Sequence, residues 1–270
     1  MIKKLQLTLA LIITIALPFY GFNYKNNKLH SKQDNILNKI DTKELNWYFK
    51  TIGNGKPPLP PSDFSKYPTI YNLHFIGDTT KKNIYLTFDA GYENGYTGPI
   101  LDILKKHNVK AAFFVVKPYI KSNPDLIKRM VSEGHLVCNH SARHPSMAKI
   151  IDFNKFKKEF SDVETVYEEV TGLKMPRFFR PPMGKYSELS LKFTKDLGYK
   201  TIFWSFAYMD WEINNQPSPE FAKKRILDRT HPGAIILLHS VSKTNAEILD
   251  SVLTEWNNQG YKINTLNELP

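Results

Sequence analysis

Two imidazoles four residues apart, His140 and His144 in the segment His140-Ser141-Ala142-Arg143-His144, close an apolar run that begins at Leu136. At that spacing on one turn both rings point at a single ion, and histidine is the commonest side-chain ligand for zinc. Two solvated histidines would look the same in sequence, so the pair gains weight only from its company. Asp89 is the first companion. The run Asn83-Ile84-Tyr85-Leu86-Thr87-Phe88 has strand length and stops at this carboxylate, and Ala90-Gly91 follow. A parallel strand delivers a reactive group to the end of a sheet in this way. Arg180, Asp210 and His239 also stand at or just past the ends of short apolar runs. Taken singly, Arg180 could cap a helix or pair with a surface acid, and His239 could be a hydrogen-bonded core residue. Their joint occurrence at successive strand ends points to one pocket ringed by those ends.

The elements that must position them are legible as two alternating periodicities. Ala111 to Val116, Leu136 to His140, Phe178 to Pro182, Thr201 to Ser205 and Ala234 to His239 read as strands, with a last one near Tyr261 to Thr265. Between them Pro99 to Lys106, Asp125 to Glu133, Phe153 to Thr171, Glu188 to Leu197, Glu220 to Arg229 and Ala246 to Asn258 read as helices. In the longest of these, Phe156, Phe160, Val163, Val166 and Val170 share one face, the pattern of a helix packed on a core. Strand and helix in alternation give the α/β class, with a sheet of about seven parallel strands that right-handed crossovers close into a barrel.

The chain has 270 residues, 41% of them hydrophobic, enough to bury a full core. Lys3 and Lys4 precede an apolar stretch from Leu5 to Phe22. This reads as an export signal over residues 1–22. No small-x-small site ends the stretch and its length just suffices to span a bilayer, so it is either a cleaved signal peptide or a membrane anchor. Residues 23–69 read as a polar stalk followed by a connector rich in proline (Pro57, Pro58, Pro60, Pro61, Pro68), and residues 70–270 as the catalytic body. The formal charge of +11, or +9 without the two leading lysines, suits an anionic wall or membrane surface. Export argues against nucleic acid as a partner. Cys138 is the single cysteine, so no internal disulfide forms, and its place in a strand run reads as core packing.

In chain order, Thr87-Phe88-Asp89-Ala90-Gly91, His140-Ser141-x-x-His144, Arg180-Pro181-Pro182-Met183-Gly184, Asp210-Trp211 and Leu237-Leu238-His239 resemble the five motifs of the polysaccharide deacetylases, the NodB-homology domain of carbohydrate esterase family 4. The likeness covers roughly residues 80 to 268. Gly91-Tyr92-Glu93-Asn94-Gly95-Tyr96-Thr97, Phe203-Trp204-Ser205 and His239-Ser240-Val241-Ser242-x-x-Asn245-Ala246-Glu247 are further similar to the branch that deacetylates N-acetylmuramic acid in peptidoglycan.

The resemblance implies a distorted (β/α) barrel and metal-assisted hydrolysis of a linear amide. It casts Asp89 as the general base, Arg180 as the cation that keeps it ionised, and His140 and His144 as ligands of a divalent metal, zinc being the expected ion. His239 becomes the acid that protonates the leaving amine. The backbone N–H of Met183 stabilises the oxyanion, and Trp211 and Leu238 wall the pocket for the acetyl methyl. Two departures stand out. Ala90 occupies the place of a second aspartate that usually ligates the metal, and Ala207 that of an aspartate thought to tune the acid, leaving Asp210 as the nearest candidate partner of His239. The expected function is metal-dependent deacetylation of N-acetylmuramic acid, leading to the muramic δ-lactam of spore cortex, with the glycan strand as partner and Lys185 as the cation for the lactyl carboxylate. Deacetylation of N-acetylglucosamine in peptidoglycan or chitin-like chains is the alternative within the class. A catalytically dead wall-binding module is the alternative outside it.

Overall fold

The computed structural model describes residues 40–270. Its strands are β1 (Leu45–Asn46), β2 (Leu73–His74), β3 (Asn83–Ala90), β4 (Ala112–Val115), β5 (Leu136–Asn139), β6 (Phe178–Phe179), β7 (Lys185–Tyr186), β8 (Lys200–Ile202), β9 (Ile235–His239) and β10 (Lys262–Ile263). Its α-helices are α1 (Tyr67–Tyr71), α2 (Thr97–Lys106), α3 (Lys117–Ser122), α4 (Pro124–Ser132), α5 (Phe153–Thr171), α6 (Glu188–Asp196), α7 (Pro219–Arg229) and α8 (Lys243–Asn258).

Eight strands form one sheet in the order β10-β3-β4-β5-β6-β8-β2, with β9 also on β3, and every pairing in it is parallel. Beyond β2 and β8 the chain reaches round to β9 through the bridges Ile76–Ala234 and Phe206–Ile236, which curl the sheet into a distorted barrel. β3 lies at its centre and is buried from Ile84 to Ala90, so its sequence is a continuous apolar run rather than an alternation. One face of the sheet packs with the helices in the largest apolar cluster, which includes Phe88, Phe113, Val137, Ile236 and Leu238.

Local chemistry agrees with the layers. α5 starts where the Asp152 carboxylate accepts from the Lys155 N–H and stops at Gly172, whose φ is 71°. Its residues Phe156, Phe160, Val163 and Val166 are buried, as their spacing requires. α8 begins on Ser242, which accepts from the Asn245 N–H and thereby fixes the turn just past β9. Cys138 is fully buried in β5 and burial pushes its thiol pKa well up, in keeping with a packing role.

The stretch read as stalk and connector behaves differently from that expectation where it is described. Residues 42–270 form one compact unit. β1 pairs antiparallel with β7, the Trp47 N–H donates to the Gly184 carbonyl, and Trp47, Phe64, Tyr67 and Tyr71 are buried with Tyr186, Leu191 and Phe203. Proline keeps the chain extended there, but aromatic side chains spaced along it bury an apolar layer against the barrel. Residues 1–39, which hold the segment read as signal peptide or anchor and the start of the polar stretch, lie outside the described residues. Among the described residues no helix is long and apolar enough to cross a membrane.

Candidate active site

Asp89 is the last residue but one of β3, and the parallel register places it opposite His239, the last residue of β9. Parallel strands present their C-terminal ends to the same side, so a base and an acid on neighbouring strands are brought together by backbone pairing alone. Arg180, just past β6, is fully buried beneath Asp89. Its Nη1 donates to Asp89 Oδ1 at 2.8 Å, its Nη2 to Thr87 Oγ1 at 2.9 Å and its Nε to the Ile202 carbonyl at 3.2 Å. The guanidinium also lies 4.2 Å over the Phe114 ring. Burial by itself would raise the Asp89 pKa, but the Arg180 charge above all, with His239 and the Arg180 hydrogen bond, holds it below the ordinary carboxylate value. Asp89 is therefore ionised, with Oδ1 engaged and Oδ2 turned toward His140 Nε2, 3.4 Å away.

His140 and His144 meet at 4.9 Å between ring centroids. They do so in a loop of special backbone rather than on a helical turn: Ser141 and His144 have φ of 69° and 60°. Side chains hold that shape, since Asn139 Oδ1 accepts from the Ser141 N–H at 2.9 Å and Ser141 Oγ from the His144 N–H at 3.0 Å. The Arg180 carbonyl lies 2.8 Å from His140 Nδ1; a carbonyl only accepts, so that nitrogen carries the proton and Nε2 keeps its lone pair. Burial pushes the His140 pKa down to about 4, with Asp89 offsetting it in part, and burial lowers His144 as well. Two neutral imidazoles with one ring backed by a carbonyl fit a divalent ion. The described residues contain no group of three His, Cys, Asp or Glu side chains arranged to hold one. Ala90 is fully buried in the apolar cluster. Water and substrate would have to complete the coordination shell.

On the other wall, His239 Nδ1 lies 2.6 Å from Asp210 Oδ1, and the His239 N–H donates to Asp210 Oδ2 at 2.8 Å. Asp210 is fully buried against His239, where the sequence left it as the nearest candidate partner in the absence of an aspartate at Ala207. Asn245 Nδ2 donates to Asp210 Oδ2 at 2.6 Å and to the His239 carbonyl at 3.2 Å, and the Tyr208 hydroxyl hydrogen-bonds Asn245 Oδ1. Burial opposes a charged imidazole, but the charge and hydrogen bond of Asp210 outweigh it, and the His239 pKa is raised. Thr87 and Asn245 thus act behind the two reactive groups. Neither was singled out from sequence, although both fall inside the motifs that carry the family resemblance.

These groups open on a cavity of about 920 Å³. Trp211, Met183, Tyr92 and Met209 form an apolar rim, each at least 44% exposed, and the Trp211 ring centroid is 5.5 Å from that of His239. Met183 holds φ at 58°, a left-handed conformation that a non-glycine residue adopts only when its surroundings impose it. The next residue, Gly184 (φ 65°), leaves no room for a side chain, because a Cβ there would meet the Trp204 ring at 3.0 Å. Two sequence assignments are corrected. Leu237, not Leu238, lines the cavity, while Leu238 points into the helix-side cluster; alternate residues of a strand face opposite sides, so Leu237 shares the face of His239. Lys185 does not line the cavity: it sits in β7 with its Nζ 3.4 Å from Glu44 Oε1.

The polysaccharide deacetylase family profile matches residues 76–202. The chain is 43% identical over 231 residues to the peptidoglycan-N-acetylmuramic acid deacetylase PdaA of Bacillus subtilis strain 168, covering 85% of this chain and 87% of that protein. The solved structure of Bacillus subtilis PdaA, described as a family 4 carbohydrate esterase, superposes with a TM-score of 0.82 over 84% of this chain and 97% of that one. An uncharacterised 30.6 kDa protein from the fumA 3′ region of Geobacillus stearothermophilus is 45% identical over 230 residues, 85% of this chain and 86% of its own. By these likenesses the chain, with Asp89, Arg180, His140 and His239 gathered at one end of a parallel sheet, belongs to the polysaccharide deacetylases, the enzymes of carbohydrate esterase family 4.

Proposed function

We propose that this protein hydrolyses the N-acetyl group of N-acetylmuramic acid in peptidoglycan, outside the cytoplasm, in the step that leads to muramic δ-lactam in spore cortex. The observation that carries the reading is the register of β3 and β9, which sets Asp89 beside His239 while each keeps its own buried partner. The choice of sugar is supported by the named activity of the 43% identical relative. Residues 1–22 then serve export, as signal peptide or anchor, and the net positive charge favours an anionic wall.

In this mechanism Asp89 takes a proton from water on Oδ2, the oxygen that Arg180 leaves open, as the water oxygen bonds to the acetyl carbon. The developing oxyanion is met by the Met183 N–H, held in place by the strained turn. A divalent ion on His140 and His144, zinc being the one that suits imidazole, would supply a Lewis acid for the acetyl carbonyl. His239 gives its Nε2 proton to the sugar nitrogen as the C–N bond breaks, releasing acetate and a free amine. Asp210 keeps that proton in place until transfer. Trp211 and Leu237 enclose the acetyl methyl.

Mass spectrometry of glycan fragments after incubation with the purified protein and added zinc tests the proposal. Loss of acetyl from muramic acid residues, with cyclisation possible only there because only they carry a lactyl carboxylate, is the expected result. Loss from glucosamine residues alone would replace this reading with the glucosamine one, and no loss from either would leave a wall-binding module.

A further inference from the structure

The cavity contains a cation that the proposed chemistry does not use. Of the Lys and Arg side chains among the described residues, Arg143 alone lines it. Arg143 sits between the two imidazoles in sequence, and its side chain is 78% exposed, which for an arginine on a loop normally means a mobile, solvated group. Here it is fixed. Glu159 of α5, itself 1% exposed, accepts from Arg143 Nε at 2.8 Å and from Nη2, and its other oxygen accepts from the Ala142 and Arg143 N–H groups at 3.1 and 3.0 Å. The buried carboxylate thus immobilises both the loop backbone and the guanidinium, while Nη1 has no protein partner among the described residues.

A guanidinium held rigid with one edge open is arranged to receive a carboxylate, because the conformational entropy of ordering it is already lost. Asp89 and Asp210 are not available to it, being tied to Arg180 and His239. We infer that Arg143 is a specificity residue that binds a carboxylate carried by the sugar undergoing deacetylation. Resting on the reading above, that group is the lactyl carboxylate of a muramic acid residue from which the stem peptide has been removed. The peptide-linked form presents a neutral amide at the same place and forfeits the charge-assisted bond.

Three substrates test this: peptide-free glycan strands, the same strands with the lactyl group as carboxamide, and N-acetylglucosamine oligomers. For wild type the carboxamide is expected to raise KM about tenfold to a hundredfold, the worth of a charged hydrogen bond. Arg143→Gln should raise KM for the free carboxylate by a similar factor, and the two changes together should cost no more than either alone, because both remove the same interaction. Glu159→Gln, which keeps the cation but loosens its anchor, should give a smaller rise. Equal KM for carboxylate and carboxamide in wild type, or additive penalties, overturns the inference while muramic acid turnover leaves the proposed function standing. Should Arg143→Gln fail to fold, the wild-type comparison still decides. Turnover of glucosamine oligomers alone overturns both.

Discussion

Asp89 lines one cavity wall and Asp210 stands behind His239 in the other, both buried and both with every oxygen engaged or aimed, yet their environments do opposite work. Asp89 faces a permanent cation, so its own pKa falls and it stays ionised, as the proposed base must. Asp210 faces a titratable imidazole, and the His239 pKa is raised, as the proposed acid requires. Separating a base from an acid within a few ångströms needs no difference in residue type, only in what each carboxylate is paired with. The burdens also differ. Arg180 is a fully buried charge whose single ionic partner among the described residues is Asp89, whereas Asp210 is additionally satisfied by a backbone N–H and by Asn245.

The sharpest way to break that comparison is to remove each reactive group in turn. Asp89→Asn and His239→Ala should each lower kcat by at least about 10², since in the proposed mechanism each supplies a separate proton transfer. Stability should separate them. Asp89→Asn leaves the Arg180 charge buried without a counterion, and breaking such a pair costs about 3–5 kcal/mol, so thermal unfolding should show a clear drop in Tm. His239→Ala strands no permanent charge and should unfold near wild type. Equal Tm values for the two variants would remove the distinction drawn here.

The metal pair offers the next test. His140→Ala deletes one of the two imidazoles proposed to hold the ion and should abolish the heat of zinc binding in a calorimetric titration, whereas Asp210→Asn, on the opposite wall, should leave that heat unchanged. Zinc heat from the His140→Ala protein equal to wild type would place the ion elsewhere.

How much of this was legible in the sequence follows from the range of the interactions concerned. Asp89, His140 and His239 could be found because an apolar run that ends on a polar residue is a local pattern, and strand ends converge in any parallel barrel. The Leu237–Leu238 choice failed because the phase of alternation in a fully buried strand leaves no trace when both residues are leucine. Lys185 failed because its partner, Glu44, lies 141 positions away along the chain, on a segment whose prolines read as a linker. The aromatic layer of Trp47, Phe64 and Tyr67 was missed for the same reason: its contacts with Tyr186 and Phe203 join segments far apart in sequence.

Asp210→Asn addresses the acid wall directly. A raised imidazole pKa means His239 is protonated below that pKa and loses its proton, and with it the ability to act as an acid, as pH rises through it. Removing the Asp210 charge lets burial dominate and the His239 pKa fall, so the alkaline limb of the kcat/KM profile should move to lower pH, with the acidic limb in place. The same linkage makes the pair's contribution to stability greatest below the ordinary histidine pKa and lost as pH rises through the raised one. An alkaline limb that stays where it was would assign it to another group.

The smallest effect expected is also the one that asks whether Asp210 must be aimed as well as charged. Asn245 reaches Asp210 Oδ2 and the His239 carbonyl from the first turn of α8, and Tyr208 fixes its amide from the other side. Asn245→Ala leaves the carboxylate and its imidazole bond intact but strips one donor from a buried oxygen, a loss worth about 1–3 kcal/mol in a buried site. Part of that should appear as lower stability and part as a drop in kcat of about fivefold, with KM little changed because Asn245 does not line the cavity. The pH profile separates aim from charge. With one hydrogen bond fewer, Asp210 is a less stabilised anion and a stronger acceptor for His239, so the alkaline limb should hold its place or move slightly upward, opposite to Asp210→Asn. A downward shift in Asn245→Ala would mean that the amide sustains the charge on Asp210 rather than its direction.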